Sequence, residues 1–168
     1  MKVAITDACI FIDLFLLELS SHFFQLQVEV HTSVDIINEL SSEQKHLYSE
    51  FIQTGKLNAH NISQEERKYL LTHPFPKWLT MTDKTGLFIA TRENAILLSS
   101  DRTVRHYAKA IAIEYHGILW ILDRLVDECC VGCKDASTKL KKLLNTNSIY
   151  QDNVEMLNEM NKRLTKWK

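Results

Sequence analysis

An α/β fold built around a mostly parallel sheet is what this sequence predicts, and three observations predict it. Short β-prone or apolar runs alternate with longer helical segments from residue 2 to about residue 128, the pattern of βαβ units. Only 4 Gly and 2 Pro in 168 residues leave too little turn chemistry for an all-β fold and too few breakers for long disorder. Hydrophobic residues make up 45% and charged residues 24%, an ordinary globular balance in a chain long enough to bury a sizeable core.

Lys2-Val3-Ala4-Ile5-Thr6 reads as the first strand, stopped by Asp7. Ile10 to Leu19 is almost continuously apolar and reads as a helix buried on most sides. Val28–His31 is a second strand, with Thr32-Ser33 as the cap of a helix from Val34 to about Leu40. A helix around Glu43–Thr54 follows, closed by Gly55, and Leu57–Ile62 is another short strand. Ser63-Gln64-Glu65-Glu66 is a capping-box pattern opening a helix that ends near His73-Pro74. After the break at Pro74-Phe75-Pro76, Thr82-Asp83 opens a helix reaching about Glu93. Ala95–Ser99 is a strand of the kind buried on both faces, and Ser100-Asp101 caps a helix over Arg102–Ala110. Ala112–His116 is a last strand, and Gly117 leads into a helix from Ile118 to about Glu128.

Beyond this alternation the pattern changes. Leu140, Leu143 and Leu144 line one helix, Asn145–Ser148 is a turn, and Val154, Leu157, Met160, Leu164 and Trp167 recur at helical spacing. The expected organisation is a domain over residues 1–130 carrying a C-terminal helical extension over 131–168. After residue 133, eight basic residues face four acidic ones, so the tail carries about +4 and the remainder about −5, for a net charge of −1. That balance excludes a broadly basic nucleic-acid binder but not a local basic surface. No segment reaches the roughly 18 apolar residues that span a bilayer. Asp7 and Asp13 interrupt the only signal-like run, so a cytoplasmic location is expected. Cys129, Cys130 and Cys133 crowd together while Cys9 stands alone, which reads as reduced thiols rather than a disulfide framework. The Cys130-x-x-Cys133 pair follows a helix and lacks the second pair of a zinc site. His22, His46 and His60 read as surface residues.

The chemistry centres on acids. Asp7 and Asp101 follow strand ends and Asp83 opens a helix, and in a parallel sheet the C-terminal strand ends share the edge where ligands bind. Glu39 lies less than two turns into the helix after the second strand and reaches the same edge. Each of the three aspartates also reads as an ordinary helix cap.

Taken together, these segments resemble PIN domains. The resemblance rests on five stretches in order: Val3-Ala4-Ile5-Thr6-Asp7-Ala8-Cys9-Ile10-Phe11-Ile12-Asp13-Leu14, Thr32 to Glu39-Leu40, Asp83-Lys84-Thr85-Gly86-Leu87-Phe88-Ile89-Ala90, Leu97-Leu98-Ser99-Ser100-Asp101-Arg102-Thr103-Val104-Arg105, and Gly117 to Asp123. It covers about residues 1–128 and is similar in style to VapC-like toxins, the ribonucleases of toxin–antitoxin pairs. It implies a three-layer α/β/α PIN-like domain and Mg²⁺-dependent hydrolysis of RNA. Asp7, Glu39, Asp83 and Asp101 would hold one or two Mg²⁺ or Mn²⁺ ions, since hard ions prefer oxygen ligands. By the same resemblance, Ser99 would hold a carboxylate or phosphate oxygen, and Lys84, Arg102 and Arg105 would contact the RNA backbone. An antitoxin polypeptide and a second copy of the chain are the implied partners. A non-toxin RNA-processing nuclease and a noncatalytic module binding RNA or protein are the alternatives. The chain departs from the family at Ala8-Cys9, where Thr with Asn or Ser is usual. Carboxylates sharing one site are also expected to raise each other's pKa.

Overall fold

The computed structural model describes residues 1–168. In chain order the elements are β1 (Lys2–Thr6), α1 (Ala8–Leu16), α2 (Ser20–Phe23), β2 (Val28–Ser33), α3 (Val34–Asn38), α4 (Ser42–Gln53), β3 (Leu57–His60), α5 (Gln64–Thr72), α6 (Met81–Arg92), β4 (Ile96–Leu98), α7 (Arg102–Ala110), β5 (Tyr115–His116), α8 (Ile118–Asp127), α9 (Cys133–Thr146), α10 (Ser148–Gln151) and α11 (Val154–Lys166). The five strands form one parallel sheet in the order β3-β2-β1-β4-β5, and with its helices this is the expected three-layer α/β/α arrangement. No helix is long and apolar enough to cross a membrane.

The chain falls into two compact units. The first joins Met1–Ile12 with Gln27–Ile118, and the second joins Asp13–Leu26 with Leu119–Lys168. The helices after residue 130 thus share their unit with Asp13–Leu26 and the rest of α8.

In the first unit β1 is the central strand. Ala4 lies opposite Val30 on one side and Ile96 on the other, and Ala4, Ile5 and Thr6 are fully buried. Burial on both faces explains why these strands read as apolar runs rather than alternating ones. Ile5, Leu87, Ile89, Ala90, Leu97, Val104 and Ala108 form a core cluster beneath α6 and α7. Under α4, the Tyr48 hydroxyl donates to the carbonyl of Phe11 at 2.6 Å. Ser41, Ser63 and Thr80 each close a capping box with the residue three positions on. Gly55 takes a φ of +71° past the end of α4, a left-handed position that suits glycine.

Several boundaries differ from the sequence reading, each for a local reason. The apolar run to Leu19 breaks after α1, where Glu18 adopts a φ of 56°, and the short α2 restarts at Ser20. α6 begins one residue before Thr82 because Thr80, not Asp83, is its cap. Cys133 opens α9, so the Cys130-x-x-Cys133 pair leads into a helix as well as following one. Asn147 alone separates α9 from α10, replacing the longer turn expected at 145–148.

His60 is half-buried rather than a surface residue. His31 lies opposite Asn58, which places His60 two residues further along the same face. Arg92 donates to His60 Nδ1 at 2.8 Å, and a guanidinium has no acceptor. His60 therefore carries its proton on Nε2 and donates to His31 Nδ1 at 2.8 Å, while His31 donates onward to Glu29 at 2.9 Å. Burial, then the His31 and Arg92 charges, hold His60 below its ordinary range against the opposite pull of Glu93 and Glu66. The folded chain thus binds this proton more weakly than the unfolded chain. The contribution is complete above the unfolded value of 6.5 and fades as pH falls. Urea midpoints between pH 5 and 7 are expected to vary less in His60→Gln than in the parent; equal slopes would contradict the assignment.

In the second unit, Arg163 grips Asp123 with two nitrogens at 2.6–3.0 Å, and Lys162 pairs with Glu159. Met160 and Trp167 are buried, as the helical stripe suggests, while Val154 is 72% exposed. Asp13 is buried and accepts hydrogen bonds from the Tyr150 hydroxyl at 2.5 Å and from Asn147 at 3.4 Å.

Candidate active site

Strand order positions the site. The chain leaves β1 for β2 and β3 on one side, then returns to place β4 and β5 on the other. The gap between the ends of β1 and β4 is therefore the switch point, where parallel sheets leave a crevice for ligands. Asp7 and the Ser99-Ser100-Asp101 turn both lie there, with the Asp7 amide bonded to the Leu98 carbonyl at 2.9 Å.

Asp7 is 8% exposed and held on every side. Its Oδ1 accepts from the Ala8 amide at 2.8 Å, and its Oδ2 from the Ser99 hydroxyl at 2.7 Å and the Cys9 thiol at 3.4 Å. Burial raises its pKa; the Ser99 and Ala8 hydrogen bonds pull it down, and the charge of Asp83 pushes it up again. The Cys9 thiol, itself pushed up by burial and by Asp7, accepts from the Ser100 amide at 3.2 Å. A thiol thus orients Asp7 at a position where the resemblance leads one to expect an Asn or Ser.

Ser99 also ties the second acid to the first, because its oxygen accepts from the Asp101 amide at 3.1 Å. Asp101 caps α7 through Oδ1, which accepts from the Thr103 and Val104 amides and the Thr103 hydroxyl. Burial pushes Asp101 up, but these hydrogen bonds outweigh it and hold the carboxyl below its ordinary range. A general rise across the acids is therefore not what the fold produces; capping reverses it at Asp101. Asp83 is the third residue of the α6 capping box, its Oδ2 accepting from the Thr80 amide at 2.7 Å. Ser33 at the end of β2 meets Thr85 at 2.8 Å and anchors that first turn. Glu39, at the C-terminal end of α3, is exposed and makes no hydrogen bond or ion pair with the other acids.

The structure therefore links Asp7 to Asp101 through Ser99, couples Asp7 to Asp83 through charge, and leaves Glu39 apart. No three His, Cys, Asp or Glu side chains are arranged as a ready-made ion cage. The donor chemistry nevertheless fits a hard divalent ion. Asp83 Oδ1, Asp101 Oδ2 and both Glu39 oxygens have no hydrogen-bond partner. Thr6 Oγ1 and Ser100 Oγ, on the residues just before Asp7 and Asp101, are buried and unpartnered.

The basic residues expected to meet substrate are partly committed. Lys84 lies over the Phe75 ring at 5.6 Å, and Arg105 over the Tyr115 ring at 5.0 Å; Arg102 is exposed at the start of α7. Cys9 and Ser100 are the site residues that sequence reasoning left out. A thiol two residues after a strand-ending acid was the one available signal.

A cleft of about 640 Å³ lies at the opposite end of the strands, between Lys2, Ala95 and Glu114, and touches none of these acids.

Comparison with known proteins bears on the fold. Among solved structures, the chain is similar to a PilT N-terminus domain protein from the hyperthermophilic archaeon Sulfolobus solfataricus, with a TM-score of 0.51 at 15% identity, covering 74% of this chain and 93% of that one. It is also similar to a domain of a functionally unknown protein from Methanocaldococcus jannaschii, with a TM-score of 0.46 at 21% identity over 70% and 91% of the two chains. No curated protein sequence matches. A family model described as PIN domain (DUF3368) matches residues 3–165, and the chain belongs to the PIN domain family, a nuclease-type fold.

Proposed function

We propose that the protein is a divalent-metal-dependent ribonuclease whose working edge is the Asp7–Asp101 switch point. The observation that carries this reading is Asp7 itself, a buried carboxylate at the end of the central strand, held by three donors and facing the charge of Asp83. Burying an acid in this way is unfavourable unless its charge is met. Asp7, Asp83 and Asp101 would hold Mg²⁺ or Mn²⁺, with Glu39 brought in from the exposed end of α3. When bound, such an ion supplies Lewis-acid stabilisation of charge on a phosphodiester. The chain's own part is positional: Ser99 fixes Asp7 relative to Asp101, Cys9 orients Asp7, and Arg102 offers its charge to the RNA backbone. The reading extends to the toxin of a toxin–antitoxin pair, with an antitoxin and a second copy as partners. Ile149 and Val154, each more than 70% exposed, support self-association, and a monomer mass in light scattering at tens of micromolar removes that part.

A noncatalytic RNA- or protein-binding module is the second reading, favoured by the capping bonds that engage Asp83 and Asp101. Asp101→Asn separates the two. Asn caps a helix as well as Asp does, so α7 should keep its stability to within about 0.5 kcal/mol. Cleavage of RNA in Mg²⁺ should nevertheless fall by about 10²–10³, the usual loss when one preorganised electrostatic group is removed. Unchanged cleavage by highly purified variant protein, or none by the parent with Mg²⁺ or Mn²⁺, overturns the nuclease reading.

A further inference from the structure

A continuous band of aromatic rings runs beside the acid edge within the first unit. Tyr69 on α5 meets His73 at 5.0 Å, His73 meets Phe75 at 4.6 Å, Phe75 meets Tyr107 on α7 at 5.8 Å, and Trp78 meets both Tyr107 and His106 at 6.3–6.4 Å. Phe75 and Tyr107 pack against the core cluster and anchor the band from below. Trp78 remains 48% exposed and Tyr69 46% exposed. The band adjoins both acid-bearing helices in sequence: Trp78 is two residues before the Thr80 cap of α6, His106 is five residues after Asp101, and Lys84, next to Asp83, lies over the Phe75 ring.

Two further features say what covers it. The segment supplying Trp78 lies between Pro74 and Pro76 on one side and the buried Leu79 on the other, so the indole is presented with little conformational freedom left to lose. Charge around the band is also one-sided in a chain of net charge −1. From Arg67 to Thr82 there is no acid but there are Arg67, Lys68 and Lys77; from Arg102 to Ile113 there is no acid but there are Arg102, Arg105 and Lys109. Arg67 pairs with Asp35, and the exposed Lys68, Lys77, Arg102 and Lys109 remain to meet phosphates. Flat rings interleaved with cations are the recognition chemistry of a single strand, whose bases stack on the rings while the backbone follows the charge. A duplex keeps its bases stacked within itself and offers the rings nothing.

We propose that the band from Tyr69 to Trp78 and His106 is a stacking platform for the unpaired bases of single-stranded RNA, leading the strand to the acid edge. The proposal rests on the ribonuclease reading for its choice of RNA, and its test is therefore made on binding alone. Fluorescence anisotropy with a labelled 12-nucleotide oligouridine, in EDTA at fixed salt, measures affinity where no metal-dependent cleavage occurs. Trp78→Ala is expected to bind about tenfold more weakly, Trp78→Phe to stay within about threefold of the parent, and His106→Ala to weaken binding by a smaller factor. A 12-base-pair RNA duplex should bind the parent and Trp78→Ala equally, because only phosphate contacts are used. Circular dichroism melts check that the variants fold, and His106, exposed on a helix surface, provides a variant with little risk to the core.

Single-strand affinities unchanged in both Trp78→Ala and His106→Ala overturn the platform. Equal losses for the strand and the duplex overturn it too, since they would mean electrostatics without stacking. So does a parent that binds no RNA, or a Trp78→Ala change that abolishes a protein contact while RNA binding stays intact. Ring-dependent binding without cleavage in Mg²⁺ supports the platform and overturns only the nuclease reading.

Discussion

Asp7→Asn is expected to melt at a higher temperature than the parent in EDTA at pH 7.5, while losing RNA cleavage completely. The gain arises because folding takes the Asp7 carboxylate out of water and faces it towards Asp83, and the raised pKa records that penalty. The folded chain holds this proton more tightly than the unfolded one. Stability therefore falls as pH rises from the ordinary value of 3.8 through the raised one. Asn keeps the shape and an acceptor for the Ala8 amide, and carries no charge to desolvate. Melts from pH 4 to 7.5 should show the gap widening with pH. Metal reverses the order: Mg²⁺ at one hundred times its dissociation constant stabilises the parent by about 2.7 kcal/mol and should do little for the variant. A variant that melts lower in EDTA at neutral pH would mean that the Ala8, Ser99 and Cys9 hydrogen bonds more than offset the burial of charge.

Tyr150→Phe is expected to destabilise the second unit by about 3 kcal/mol, the scale for stripping a strong donor from a buried charged group. In a chain of this size that lowers the melting temperature by roughly 6–12 °C. Tyr150 is the closer of two donors to Asp13, and burial already pushes that carboxyl up against the pull of Tyr150 and Asn147. Removing the hydroxyl raises it further, so Asp13 can escape the penalty only by taking up a proton. The deficit should accordingly be larger at pH 8 than at pH 5, and a pH-independent deficit would assign the effect to lost packing.

Much of the fold was legible because its signals are local. The Ile96–Leu98 strand announces itself as an apolar run, and Ser63 with Glu66 marks the start of α5 three residues apart. The Thr80–Asp83 box was harder to see because Asp stands where Glu or Gln is usual, and the helix start was read one residue late. The four acids fall on the elements where the sequence put them, Asp7 and Asp101 after strand ends, Asp83 in a helix's first turn and Glu39 at the end of α3, but Glu39 makes no bond with the others. Which acids interact was not legible, since that depends on the register of β1 against β4 and on which oxygen each cap engages. The role of Cys9 was hidden for the same reason, and so was the pairing of His60 with His31 across β2 and β3.

The central place of β1 has a consequence for how the protein is made. β1 has one side that no strand completes until Leu98 emerges, and Ser99 and Asp101 follow only after that. At the usual 5–20 residues per second, the ribosome needs roughly 5–20 s to cover that distance. Throughout that interval the nascent chain carries Asp7 without the residues that hold it. A chain still short of residue 101 cannot assemble the edge, so an RNA-cutting activity there would be withheld from the ribosome until that residue had been translated.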